Sequence, residues 1–358
     1  MDEDPFSRYG LKPVELADRA VLEPYFSSLA EPLSDYTFSQ LYTWHNSLRI
    51  LWKQLDGHLC VFANGTGDLT LLMPPIGDTA SDKALRSAYE VMDDYNALHN
   101  VPDRSRVEYA SEELLARFDR GTLQVEPMGA DYLYDTQRMI DLAGGDLASK
   151  RQAKNRFMRN YAYRVEPYSA ALHRDDCLQL LESWKDHQDI QHDAEPSANA
   201  IKRAKESIAT KLCLDTVEVL GLSGMVVYVE GNSGLKEGQS DEVTKGQSDE
   251  ATRSGPPLSP SVPSSLHPSS LKGFTFGEPL GSRQTSITIE KTDLMTKGLA
   301  QFIFSEFCRV NWADRPLVNV GDDWGLETLA WTKQSYRPIK MLQKYVLRRN
   351  KAIMIAAA

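Results

Sequence analysis

The chain has 358 residues, 41% of them hydrophobic and 25% charged, with fifty acidic against forty basic side chains and a net charge of −10. Such a chain is long enough for two ordinary globular domains, and its acidic balance excludes broad, nonspecific nucleic-acid binding, which needs a net basic face. No apolar run approaches the ~20 residues that span a bilayer, the acidic first five residues are unlike a secretory leader, and Cys60, Cys177, Cys213 and Cys308 lie far apart, so a cytoplasmic protein with reduced thiols and no transmembrane segment is expected.

Taken in chain order, the apolar pattern predicts a helix over 36–45 and strands over 48–53, 58–63 and 69–73. A helix over 82–99 follows, with Leu85, Ala88, Tyr89, Met92 and Tyr95 at i, i+3, i+4 spacing. Short strands are expected at 106–109 and 123–127. The chain is then expected to divide, giving a first domain at 1–128 and a second at 129–358. The second opens with a strand at 132–136 and a basic helix over 149–161. Helices over 177–188 and 198–212 come next, then one or two strands over 219–229.

From about 231 to 272 the sequence turns to low complexity, with octets beginning Gly-Gln-Ser-Asp-Glu at Gly238 and Gly246 and then a Pro/Ser run. Such a segment buries too little apolar surface to offset chain entropy, so a disordered insertion is expected. Strand patterns flank it, resuming over 274–278, and it reads as an overgrown hairpin loop inside one sheet. A strand over 285–290 leads to a helix over 297–310, whose Leu299, Phe302, Ile303, Phe307 and Val310 form one stripe. A strand at 317–320, a helix over 325–334 and a strand over 340–347 close the chain. Both halves mix helices with a mostly antiparallel sheet, which makes the class α+β.

Several clusters carry chemistry. From residue 149 to 164 there are six basic side chains and no acid. Arg151, Asn155 and Arg159 fall in one row at i, i+4, i+8, either a solvated face or a contact for phosphate or carboxylate. Asp322-Asp323-Trp324-Gly325 precedes a helix, where one acid is a natural cap and the other is free to order an amine or a lysine. Lys333 falls near that helix's C-terminus. Glu290 ends a strand whose apolar Ile287 and Ile289 place it, by alternation, on the opposite face, beside Lys291. That acid is either a surface ion pair or a group facing a cleft. His187 and His192 do not align as metal ligands across a helix end, and no metal site is expected. No nucleophile-elbow, P-loop or dinucleotide fingerprint is present.

The segment Val318-Asn319-Val320-Gly321-Asp322-Asp323-Trp324-Gly325-Leu326-Glu327, continuing through Lys333-Gln334-Ser335-Tyr336-Arg337-Pro338 to Lys344-Tyr345, resembles the signature of the phosphatidylglycerol lysyltransferase C-terminal-domain family. Asp131-Tyr132-Leu133-Tyr134, Lys150-Arg151 with Asn155-Arg156-Phe157, and Glu290-Lys291 with Lys297-Gly298 resemble further pieces of it in order. Trp324 and Ala330 stand where the family usually has an aliphatic residue and an arginine. The resemblance implies two tandem GCN5-related acetyltransferase-like domains and transfer of an aminoacyl group from an aminoacyl-tRNA donor. Acyl-CoA is the lesser donor candidate, since Gly298-Leu299-Ala300 supplies only half of the usual coenzyme A loop and Met295 occupies its Gln/Arg position.

On that footing Glu290, Asp323 and Lys333 are the candidate catalytic residues. Arg151, Asn155, Lys291, Asn319, Asp322 and Tyr336 are the candidates for holding the donor, the end of a charged tRNA by resemblance, and a small-molecule or lipid-headgroup acceptor. The alternative is a non-catalytic ligand-binding protein that keeps the cleft.

Overall fold

The computed structural model describes residues 4–79, 82–189, 198–230 and 269–350. The first half contains β1 (Lys12–Pro13), α1 (Arg19–Ser27), α2 (Phe38–Leu48), β2 (Ile50–Leu55), β3 (His58–Ala63), β4 (Thr70–Leu71), α3 (Asp82–Leu98), β5 (Val107–Ser111), α4 (Glu112–Leu115) and β6 (Leu123–Asp135). After α5 (Thr136–Asp141) and α6 (Ala148–Asn160) come β7 (Tyr163–Pro167), α7 (Ala170–Asp189), α8 (Ala198–Leu220), β8 (Ser223–Glu230) and β9 (Ser269–Leu280). The chain closes with β10 (Gln284–Thr292), α9 (Leu299–Asn311), β11 (Leu317–Asn319), α10 (Glu327–Gln334) and β12 (Lys340–Arg349).

Local chemistry sets most of these limits. Thr37 caps α2 by accepting the Gln40 N–H, and Arg49 ends it in the left-handed region. Helix α8 runs past the expected 212 to Leu220, where Gly221 at φ 65° stops it. Val219 and Leu220 therefore belong to the helix, and the strand expected over 219–229 starts only at Ser223. The strands expected at 123–127 and 132–136 are one continuous β6, whose pairing with β12 slips at Gly129. The expected boundary at 128–129 lies inside this strand. Of the insertion expected at 231–272, residues 231–268 lie outside the described residues, and 269–272 are already strand. Glu230 pairs directly with Ser269, so the two flanks do form one hairpin.

Among the described residues, twelve strands make a single mixed, mostly antiparallel sheet in the order β1-β2-β3-β4-β5-β12-β6-β11-β10-β9-β8-β7. Of these strand pairs, only β4/β5 and β10/β11 run parallel. The halves repeat one element order: a strand, two helices, three strands, a helix, a strand parallel to the one before, a helix and a last strand. The last strands are exchanged, because β12 pairs with β5 and β6 pairs with β11. One core lies under α3 and a second under α5, α6 and α9. A third is shared, with α2 of the first half packed on α8 of the second. Along β8 the faces alternate, Val226 and Tyr228 entering the shared core and Met225, Val227 and Val229 the one under α9.

Candidate functional site

The parallel pairing of β10 with β11 lasts only from Gln284–Leu317 to Ser286–Asn319. Beyond Ser286, β10 continues to Thr292 paired with β9, while the segment after β11 turns at Gly321, φ 67°. The two strands part there, and Ile287–Glu290 of β10 lie beyond the end of β11.

A bulge sets what faces it. The β9 pairing steps from Ile287–Gly277 to Ile289–Phe276, leaving Thr288 extra, its hydroxyl donating to the Phe276 carbonyl at 3.1 Å. Simple alternation puts both isoleucines on one face, but the bulge sends Ile287 into the core under α9 and Ile289 toward the shared core. Glu290 consequently lies on the side of Ile287, not opposite it. There it sits half-buried near Lys333, Tyr336 and the buried thiol of Cys308. Burial pushes the Glu290 carboxyl up to about 8, against the pull of the Lys333 ammonium. The same carboxylate, with burial, raises the Cys308 thiol and the Tyr336 phenol.

Lys333 closes the other side. Its Nζ donates to the carbonyl oxygens of Val320 at 2.6 Å, Gly321 at 3.2 Å and Asp322 at 2.5 Å, and lies 5.8 Å from the Tyr132 ring centre. Burial pulls the ammonium down to about 8, while Asp322 and Asp131 hold it up. The three carbonyls also favour its charged form. All three of its protons are thereby committed to the loop at 320–322. In that loop Asp323 accepts the Tyr132 hydroxyl at 2.6 Å and the Gly325 N–H at 2.9 Å. Asp322 accepts the Trp324 N–H at 3.2 Å. Both acids thus close the turn before α10 rather than cap the helix, whose N-cap is Leu326 without a side-chain bond.

The remaining predicted residues divide. Tyr336 is buried against Phe304, ring centres 5.4 Å apart, with the Lys150 ammonium 4.5 Å from its ring centre. It borders the Glu290 group. Asn319 is fully buried and donates to Asp131 at 3.1 Å while accepting the Gly321 N–H at 2.9 Å. Lys291, on the other face of β10, pairs with Glu206 of α8 at 2.7 Å. Arg151 is tied back to the carbonyls of Leu142 at 2.5 Å and Gly144 at 3.1 Å. Asn155 is exposed and, with Gln152, Arg156 and Arg159, lines an open depression on α6. Glu290, Lys333, Asp322, Asp323 and Tyr336 therefore come together, and Lys291, Arg151 and Asn155 stand apart from them.

Residues outside the predicted set hold this group in place. Lys344 makes ion pairs with Asp35 at 2.5 Å, Asp131 at 2.7 Å and Asp322 at 3.0 Å. Asp131 and Lys344 were visible as charges inside apolar strand patterns, which is a signal for a buried pair. Asp35 gave none, since an acid before a helix reads as a cap.

The family model "Phosphatidylglycerol lysyltransferase, C-terminal" matches residues 26–348. Among solved structures the chain is similar to a conserved protein of unknown function from Bacteroides thetaiotaomicron, 21% identical, with TM-score 0.71, covering 95% of this chain and 99% of that one. It is also similar to the C-terminal domain of a putative lysylphosphatidylglycerol synthetase from Agrobacterium fabrum, 13% identical, TM-score 0.57, coverage 96% and 97%. L-PGS from Bacillus licheniformis is 14% identical, TM-score 0.54, coverage 97% and 96%. These likenesses show a shared fold. No curated protein matches the chain in sequence. No helix among the described residues is long and apolar enough to cross a membrane.

Proposed function

The chain belongs to the phosphatidylglycerol lysyltransferase C-terminal family, and from that premise we propose that it moves an aminoacyl group from a charged tRNA to a lipid-headgroup, peptide or small amine acceptor. The observation that carries the reading is Glu290. It is a half-buried carboxyl at the fork between β10 and β11, pushed up to about 8 beside a lysine. A proton acceptor with a pKa near the working pH is what general-base transfer needs.

The acceptor's nucleophilic atom attacks the ester carbonyl and gives its proton to Glu290. The bond from the acyl carbon to the ribose oxygen breaks, and that oxygen takes the proton back from Glu290. Lys333, saturated by carbonyls, contributes positive field near the oxyanion and holds the loop rather than donating. The Tyr132–Asp323 pair lines the loop side and orients the acceptor. The edge of β10 at Ile287–Glu290, beyond the end of β11, offers backbone groups to an extended substrate, and the outward face of α6, with Asn155, Arg156 and Arg159, suits the phosphates of an RNA end. Acyl-CoA is the weaker donor. The Gly-x-Ala piece begins α9, where a pyrophosphate would need exposed amides, and there a Cβ on Gly298 would meet the Ala153 carbonyl at 2.2 Å.

The test is transfer of radiolabelled amino acid from a mixed pool of charged tRNA to phosphatidylglycerol vesicles, a peptide and simple amines. Glu290→Gln is expected to lower kcat by about 100-fold or more without lowering the melting temperature. Equal rates for wild type and variant, or turnover of acyl-CoA thioesters alone, would overturn the reading. Saturable binding of charged tRNA without product would favour a non-catalytic binder instead.

A further inference from the structure

Three carboxylates share one buried ammonium at the seam between the halves. Lys344, in β12, is 1% exposed, and its partners come from three places. Asp35 precedes α2, Asp131 lies in β6, and Asp322 lies in the loop after β11, at 2.5, 2.7 and 3.0 Å. Asp131 has two further donors, the Ser34 N–H at 2.7 Å and Asn319 at 3.1 Å. Among the described residues, Lys344 is the one donor to the Asp35 carboxylate. The Asp322 carboxylate held by Lys344 belongs to the residue whose carbonyl accepts from Lys333. Two residues on, Trp324 packs edge-on against Trp44 of α2, ring centres 5.9 Å apart. Besides its contacts with β6, the loop at 320–324 is therefore tied twice to the segment around α2, through Asp35–Lys344–Asp322 and through Trp44–Trp324.

We propose that Lys344 is a positioning residue of the transfer site: by sharing its ammonium between Asp35 and Asp322, it lets the segment entering α2 set where the 320–324 loop, and with it Lys333, stands relative to Glu290. Its effect on rate rests on the transferase reading.

One ammonium cannot neutralise three carboxylates, and the member with the fewest donors takes up a proton first. Burial pushes Asp35 up to about 6, with Asp131 and Asp322 adding to the rise and Lys344 opposing it. The other groups facing it are the phenols of Tyr36 and of Tyr109 in β5, both raised by burial and therefore neutral here. When Asp35 is protonated, the ammonium passes wholly to Asp131 and Asp322, and the ionic link from the segment entering α2 to the loop is lost, while Trp44–Trp324 and the contacts with β6 remain. The Asp35 link to the loop is thus intact above about pH 6 and lost below it.

Trp324 reports the loop directly, by subtracting the emission of Trp324→Phe from that of the full chain. A titration from pH 5 to 8 is expected to show a transition near pH 6, absent in Asp35→Asn and shifted but kept in Lys344→Arg. Lys344→Met leaves three uncompensated carboxylates and is expected to unfold, so Asp35→Asn carries the test. In the transfer assay, Asp35→Asn is expected to lower kcat about tenfold at pH 7.5 and to remove the step near pH 6 from its pH profile, leaving the rise toward pH 8 set by Glu290, with KM for charged tRNA unchanged. An emission transition that persists in Asp35→Asn, or none in the wild type, overturns the proposal. If no donor is turned over at all, the transferase reading falls while the emission titration still decides the positioning role.

Discussion

Glu290 and Lys333 bring opposite charges into a setting that disfavours both, and the pH dependence of stability follows from that. The folded carboxyl of Glu290 titrates at about 8, far above its ordinary value, so between roughly pH 4.5 and 8 the folded chain binds a proton that the unfolded chain has lost. Its contribution is therefore favourable at low pH and is lost as pH rises through that window. Glu290→Gln, always neutral, removes the slope. The melting temperature of the variant is expected to match wild type near pH 5 and to exceed it above pH 8, by on the order of 5 °C. A scanning calorimetry series checks this, and a gap that does not grow with pH would show that the carboxyl is well solvated. At this scale, residue types were legible and orientations were not. The sequence marked Glu290, Lys333 and the acid pair. It put Glu290 opposite Ile287, because a one-residue bulge is invisible to a period-two pattern and reverses every face beyond it.

Among the elements, helices announced themselves through a buried stripe, as α9 does with Leu299, Phe302, Ile303 and Phe307. Strand limits were harder where glycine interrupts them. The expected pieces at 123–127 and 132–136 are one strand, β6, and the β12 ladder runs through both with a register shift between Gly129 and Pro127. The hairpin of β8 and β9 was readable because apolar runs resume on both sides of the low-complexity stretch. Its register makes a further outcome predictable: Glu230 and Ser269 are direct partners, so a two-residue Asn-Gly turn suffices to join them. Replacing residues 231–268 by Asn-Gly is expected to leave the melting temperature within about 2 °C and the Glu290 site intact. A larger loss in thermal unfolding would mean that the segment contributes to the folded core.

At the scale of the molecule, the exchange of last strands binds the halves together. Strand β12 lies between β5 and β6, and β6 lies between β12 and β11. A fragment of residues 1–128 therefore lacks the strand beside β5, and a fragment of residues 129–358 lacks the first part of β6. Each exposes a long unpaired edge. Neither fragment alone is expected to give a cooperative unfolding transition by circular dichroism, whereas the two expressed together are expected to copurify. A cooperative transition from residues 1–128 alone would show that the exchange is dispensable. The sequence by itself determined the α+β class, the family and the identity of the charged groups, because these follow from local periodicity and from short runs of residues. Only the tertiary structure decided which charges meet. Asp35, Asp131, Asp322 and Lys344 are joined by sheet order and strand exchange across some 300 positions of chain, and contacts between distant segments leave no period in the sequence to read.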